Sequence, residues 1–369
     1  MAITYPHRSL STVSRRSWSA EIAPNWFTSV MGTGIVATAA TTLPVHIAGL
    51  HTFAMLVWLA AATALVTLSI VFVQQWTHHR STAREHAQHP VRAQFYGAPP
   101  MAMLTVGAGT LVLGRDLFGA SAAVGMSWVL WIVGTALGLA TSVWIPFRMI
   151  TAHDHVDTAA LPAWLMPVVP PMVSASTGAL LLPHVPAGQA RLTMLLACYG
   201  MFGLSLIVGL ITLTLVYSRL VHGGIATLQA APTVWISLGV IGQSITAANL
   251  LGADAHLVFT DDHAVVASGL RVFGLLFGVV TGGFGVLFFA LATALTVHAG
   301  RRGLTFSLTW WSFTFPVGTC VTAASALGKA TGADAVNALS VALYVLLLTA
   351  WAVVAGRTAL RTQQLLGAG

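Results

Sequence analysis

The sequence predicts an all-α membrane protein, with ten transmembrane helices arranged as five helical hairpins around a central pore in quasi-five-fold symmetry. Three observations lead there. Of the 369 residues, 56% are hydrophobic and only 7% are charged, whereas soluble domains carry about a quarter. Apolar stretches recur at the length a ~30 Å hydrocarbon core demands of a helix, roughly 20 residues. Helix-breaking glycines and prolines return about every 70 residues along those stretches.

Taken in order, residues 1–23 are polar and arginine-bearing and lack the apolar run of a cleaved secretory signal, so a cytosolic tail is expected there. Residues 24–358 form the ten-helix domain, and 359–369 a second cytosolic tail. The first span, 25–43, carries "SVMGTGIV", with Gly32, Thr33 and Gly34 where a plain lipid-facing helix would hold none. The second, 52–75, is unbroken, as in "MLVWLAAATALVTLSIVFV". The third, 96–114, opens with "GAPPMAM" and its Pro99 and Pro100; the fourth, 121–146, is again smooth. The fifth, 161–182, holds "MPVVPPM" with Pro170 and Pro171, and the sixth, 192–217, is smooth. The seventh, 232–252, carries Gly239, Gly242, Gln243 and Asn249, and is the most polar of the set. The eighth, 264–297, is the longest and must tilt or protrude. The ninth, 304–327, contains "SFTFPVG" with Phe313, Phe315 and Pro316, and the tenth is 335–357.

Arginines set the orientation, because cationic loops stay cytoplasmic. With both termini inside, twelve of the sixteen Lys and Arg residues fall on the inner side, against Arg115, Arg191 and Lys329 outside; the remaining one, Arg271, falls inside the eighth span. The location that follows is a plasma membrane, or the inner membrane of a bacterium. Topology by itself accounts for the formal net charge of +7, so no nucleic-acid partner is inferred from it. Two cysteines, Cys198 and Cys320, supply neither a disulfide framework nor a thiolate metal site. No cofactor, metal or catalytic residue is expected.

Such breakers recur in every odd span, whereas the even spans are richer in unbroken leucine, valine, alanine and tryptophan. Backbone groups freed by proline or glycine are tolerated in a bilayer only against protein or water, so the odd helices belong inside and the smooth even ones outside. Hydroxyl and amide side chains gather on the same odd spans, Thr28, Thr105, Ser176, Gln243, Thr246 and Thr322 among them. Each one alone is explained by bonding to its own helix or by close packing; the five-fold recurrence points instead to a narrow polar path. Gly274, Gly278 and Gly282 of span eight form a small-xxx-small ridge and read as packing.

"PNWFTSVMGTGIV", "HPVRAQFYGAPP" and "WWSFTFPVGT" resemble the tellurite-resistance/dicarboxylate transporter family, which also takes in plant slow anion channels, malate permeases and fungal sulfite efflux pumps. The resemblance covers nearly the whole chain, and "MGTGIV" is nearer the dicarboxylate and sulfite branches than the plant channels. It implies an anion transporter or channel with one pore per subunit of a homotrimer in a lipid bilayer, and a phenylalanine of the ninth span, here Phe315 with Phe313 as neighbour, across the pore. The expected cargo is a small anion: a four-carbon dicarboxylate such as malate, with sulfite or a tellurium oxyanion, chloride or nitrate as alternatives.

The residues fit that implication. No Asp or Glu lies within a span, where a cation path would use them, and helix breaks at mid-membrane would offer N–H dipoles to an anion. Arg271 has two readings, an anion-attracting vestibule or a snorkelling side chain. An intramembrane enzyme or bis-histidine haem protein would need paired acids or histidines inside the spans, and there are none. A receptor or scaffold gives no reason for breakers in every odd span.

Overall fold

Helices built in two steps, a 3₁₀ turn leading into a short α-helix, alternate with long uninterrupted ones. The computed structural model describes residues 22–152, 160–225 and 227–367, and among these no strand occurs. The α-helices are α1 (Phe27–Ala40), α2 (Leu50–His78), α3 (Arg80–Gln88), α4 (Ala98–Val112), α5 (Arg115–Phe118), α6 (Ala120–Ala152), α7 (Pro170–Leu181), α8 (Gln189–Gly223), α9 (Ile236–Asp254), α10 (Ala264–Arg301), α11 (Phe315–Thr331) and α12 (Asp334–Gly367). Turns of 3₁₀ helix at Pro24–Trp26, Arg92–Gly97, Pro162–Leu165, Leu228–Trp235 and Leu308–Phe313 precede α1, α4, α7, α9 and α11.

Each expected span falls on a helical stretch, but only six are long and apolar enough to cross a membrane by length and composition: α2, α6, α8, α10, α12 and the stretch Leu228–Leu257 that contains α9. Helices α1, α4, α7 and α11 have 14, 15, 12 and 17 residues, short of the ~20 that span a hydrocarbon core. Proline is the reason for three of them. Pro99, Pro100, Pro170, Pro171 and Pro316 occupy the first turn of α4, α7 and α11, where a missing N–H costs nothing and the fixed φ starts a helix. The sequence reading placed these residues as bends within spans; they are helix starts. Helix α12 runs on to Gly367, so the stretch 359–367 expected as a tail continues the helix. The N-terminal tail, up to residue 21, lies outside the described residues.

Burial divides the helices into two shells. In the most apolar window of Leu228–Leu257, 94% of the residues are buried, against 17% to 33% in the other five long helices. Helices α1, α4, α7 and α11 are buried along most of their length as well. The outer helices hold the inner ones with polar side chains whose partners are carbonyls or hydroxyls. Trp58 Nε1 of α2 donates to Val106 O at 3.2 Å, Trp131 Nε1 of α6 to Ser174 O at 2.9 Å, and Ser205 Oγ of α8 to Val168 O at 2.6 Å. From α12, Tyr344 Oη donates to Val36 O at 3.2 Å and Trp351 Nε1 to Thr33 Oγ1 at 3.1 Å. Such bonds orient helices where lipid offers no competing partner.

Glycine permits the closest approaches. A Cβ on Gly97 would collide with the Met166 carbonyl, and one on Gly242 would lie 2.6 to 2.8 Å from Thr319 and Cys320. Of the ridge on α10, Gly274 and Gly278 face Ala248 and Asn249 of α9, whereas Gly282 has open space.

Between α2 and α4, helix α3 buries His86 (5% exposed). Its burial, then the Arg92 cation, push the imidazole pKa down, with His89 acting the same way and Glu85 against it. The unfolded chain therefore takes up a proton near the ordinary pKa of about 6.5 before the folded one does, and stability present above that value is lost as pH falls. We expect the melting temperature to drop between about pH 7.5 and about pH 5, with His86→Gln flattening the drop; an equal drop in that variant would acquit His86.

Candidate functional site

The five inner helices turn the same face inward, and the chain writes that face in one spacing. A cavity of about 340 Å³ is lined by Ile35 and Thr38 of α1 with Thr42 just beyond it, by Thr105, Ala108 and Val112 of α4, by Val173, Ser176 and Leu180 of α7, by Gln243, Thr246 and Leu250 of α9, and by Thr322, Ser325 and Lys329 of α11. Each set runs i, i+3, i+7, the period of one helix face. Thr41, Thr177, Ala326 and Phe315 complete the wall.

One turn to two turns nearer the N-terminal ends, the same faces enclose a second space of only about 20 Å³, lined by Thr28, Met31, Met101, Met166, Val169, Ile236, Gly239 and Pro316 with flanking Phe95, Trp311 and Ser312, and again by Phe315. Phe315 is the single residue that borders both spaces. Its side chain is 3% exposed and stands seven residues before Thr322. Seven residues before the corresponding Ile35, Val173 and Gln243 stand Thr28, Met166 and Ile236, so α11 alone puts an aromatic ring at this level.

The polar groups of the wide cavity are mostly spoken for. Thr38, Thr105, Thr177 and Thr246 donate to carbonyls one turn back at 2.7 to 3.3 Å. Thr41, Thr42, Ser176 and Thr322 donate to carbonyls three residues back at 2.8 to 3.0 Å. Thr246 and Thr322 also meet hydroxyl to hydroxyl at 2.8 Å, one of the two giving its proton to the other in place of its carbonyl. Their protons are otherwise held by their own helices, and what they turn to the cavity is chiefly lone pairs and methyl groups. Gln243 donates Nε2 to Ser176 Oγ and leaves Oε1 without a partner among the described residues, as does Ser325 with its Oγ. Lys329 is the one charged residue on either wall, and no carboxylate lines them.

The structure thus brings Phe315, Pro316, Gly239 and Gln243 to the two spaces. Gly32 faces Thr314 and Trp311, Gly34 faces Thr105, and Gly242 faces Thr319, all as close packing; Thr33 is bonded to Trp351. Pro99, Pro100, Pro170 and Pro171 are buried helix starts away from both linings. Phe313 sits edge-on to Trp235 and Trp310, at 5.7 Å from each. Arg271 lies exposed on α10 and borders neither space. Nor do helix breaks present free N–H groups at α7: Pro170 and Pro171 have none, and the Met172 and Val173 N–H groups donate to Val169 O at 2.9 and 3.2 Å. Sequence reasoning passed over Ser325 and Lys329. The signal was available in the heptad step from Phe315 to Thr322 to Lys329.

Comparison with known proteins adds the following. A family model described as voltage-dependent anion channel (SLAC1) matches residues 21–359. A sulfite efflux pump of Trichophyton rubrum is 27% identical over 311 residues, covering 83% of this chain and 81% of the relative. Another, from Arthroderma otae, is 26% identical over 336 residues, covering 90% and 88%. An uncharacterized transporter of Methanocaldococcus jannaschii is 27% identical over 335 residues, covering 89% and 90%.

Proposed function

Because the chain belongs to the voltage-dependent anion channel (SLAC1) family, we propose that it passes small oxyanions across a membrane along the axis of its five inner helices, with the Phe315 ring closing the path. The observation that carries this reading is the position of Phe315 as the sole residue shared by the wide and the narrow space. A neutral wall with no carboxylate and one cation suits anions and disfavours cations.

The reading takes all ten helical segments as crossings in five hairpins of quasi-five-fold symmetry. In support, a 3₁₀ turn lengthens each short helix: at a rise of ~2.0 Å in the turn and ~1.5 Å in the helix, the stretch 92–112 reaches about 34 Å, enough for the hydrocarbon core. The i, i+3, i+7 wall repeated by all five supports the symmetry. With the termini cytoplasmic, as the arginines favour, the wide cavity opens outward and the narrow one faces the cytosol. Assembly as a homotrimer in the plasma membrane, each subunit with its own path, belongs to the same reading.

For the cargo, sulfite stands first, since several relatives are named sulfite efflux pumps and one cation in the wall balances one compact anion better than an extended dicarboxylate. A proteoliposome panel of sulfite, chloride, nitrate, tellurite and malate tests it. Sulfite flux is expected to exceed malate flux by about tenfold. Malate-dominated flux would replace the cargo, and no flux for any anion would favour a non-transporting membrane protein.

A further inference from the structure

We propose that Ser325 and Lys329 form an anion-capture site in the wide cavity, a place where an oxyanion is held before it meets the Phe315 ring. The inference deepens the transport reading and rests on it for its role, though the binding itself is testable without transport.

Two independent features converge on one face of α11. Lys329 is the only charge on the wall of a cavity otherwise lined by neutral groups. Four residues earlier on the same helix, and therefore beside it, Ser325 is 5% exposed, borders the cavity and has no hydrogen-bond partner among the described residues. Every other hydroxyl on that wall has a carbonyl or a second hydroxyl to take its proton, which makes Ser325 the one whose proton is free for a guest. An orphan buried hydroxyl is costly to leave unpaired; a guest that accepts one hydrogen bond and carries negative charge would satisfy both groups together. That describes a sulfite-like or carboxylate oxygen.

The Lys329 cation acts through space on Asp254, at the end of α9. Among the described residues no ion pair joins the two. The ammonium is therefore unpaired and available, with a carboxylate near enough to compete with an arriving anion.

The experiment uses the purified full chain with sulfite as probe and chloride for comparison. In detergent, sulfite should raise the melting temperature of the wild type in a saturable way. Lys329→Gln should raise the sulfite concentration giving half the shift roughly threefold to tenfold, Ser325→Ala should raise it less, and Lys329→Arg should restore it. Asp254→Asn should lower it. In proteoliposomes, Lys329→Gln should lose flux at low sulfite concentration, and the remaining flux should depend less on ionic strength. A Lys329→Gln variant with wild-type midpoints in the melting series overturns the capture site whether or not flux is observed. Wild-type sulfite binding without flux leaves the site standing and overturns the path.

Discussion

Replacing Phe315 by alanine should raise anion flux in proteoliposomes on the order of tenfold, with Phe315→Leu in between. A phenylalanine in a close-packed core costs ~3–5 kcal/mol to truncate, because the walls cannot collapse onto the void. Phe315 is itself 3% exposed, so its truncation carries a cost of that kind, but the residue borders about 340 Å³ on one side and about 20 Å³ on the other, and the space left by the ring would join them. Raised flux in a folded variant, whatever its loss of stability, is the signature of a closing ring. Unchanged flux in a folded variant would dismiss it, and a large stability loss without added flux would mark Phe315 as packing.

The second large effect is expected at Gly97. Its φ of −71° is open to any residue, so backbone freedom does not require glycine there. Space does: a methyl would meet the Met166 carbonyl, backbone against backbone, between the turn that starts α4 and the one that leads to α7. Neither side has a flexible end to yield, and Gly97→Ala should destabilise by at least ~2 kcal/mol. Gly283→Ala is the matched contrast. It lies in helical backbone with no atom within 4 Å of a built Cβ, so it should be neutral or gain up to ~1 kcal/mol. Similar melting temperatures for the two variants would refute the close approach.

Much of this molecule was readable in the chain because hydropathy and breakers obey local rules. Each expected span falls on a helical stretch, although the helices of the fourth and sixth spans run six residues past the expected ends and that of the tenth runs ten past, and the odd and even spans did separate into buried and exposed helices. What the prolines do was misread for a physical reason: a proline in an apolar run signals the end of one hydrogen-bond pattern, and sequence cannot say whether helix resumes before it or begins at it. At Pro99, Pro170 and Pro316 it begins. Of the glycines, Gly239 reached a cavity while Gly32, Gly34 and Gly242 served helix contacts, a distinction that depends on rotation about the helix axis. Arg271 was conspicuous for being charged within an apolar stretch, yet its helix faces outward. Lys329 was counted only as a loop charge, because the helix carrying it ends two residues later and the cavity reaches that end.

The two shells also divide the work of living in a bilayer. In a bilayer the exposed outer helices would meet the lipid, so thickening or thinning of the leaflets would load them first and reach the inner helices second-hand, through close packing such as that of α10 on α9 and through tryptophan, tyrosine and serine tethers to α1, α4 and α7. Hydrophobic mismatch would be absorbed by tilting of the outer helices before it reaches the axis, and the dimensions of the two spaces beside Phe315 should stay constant across membranes of different composition.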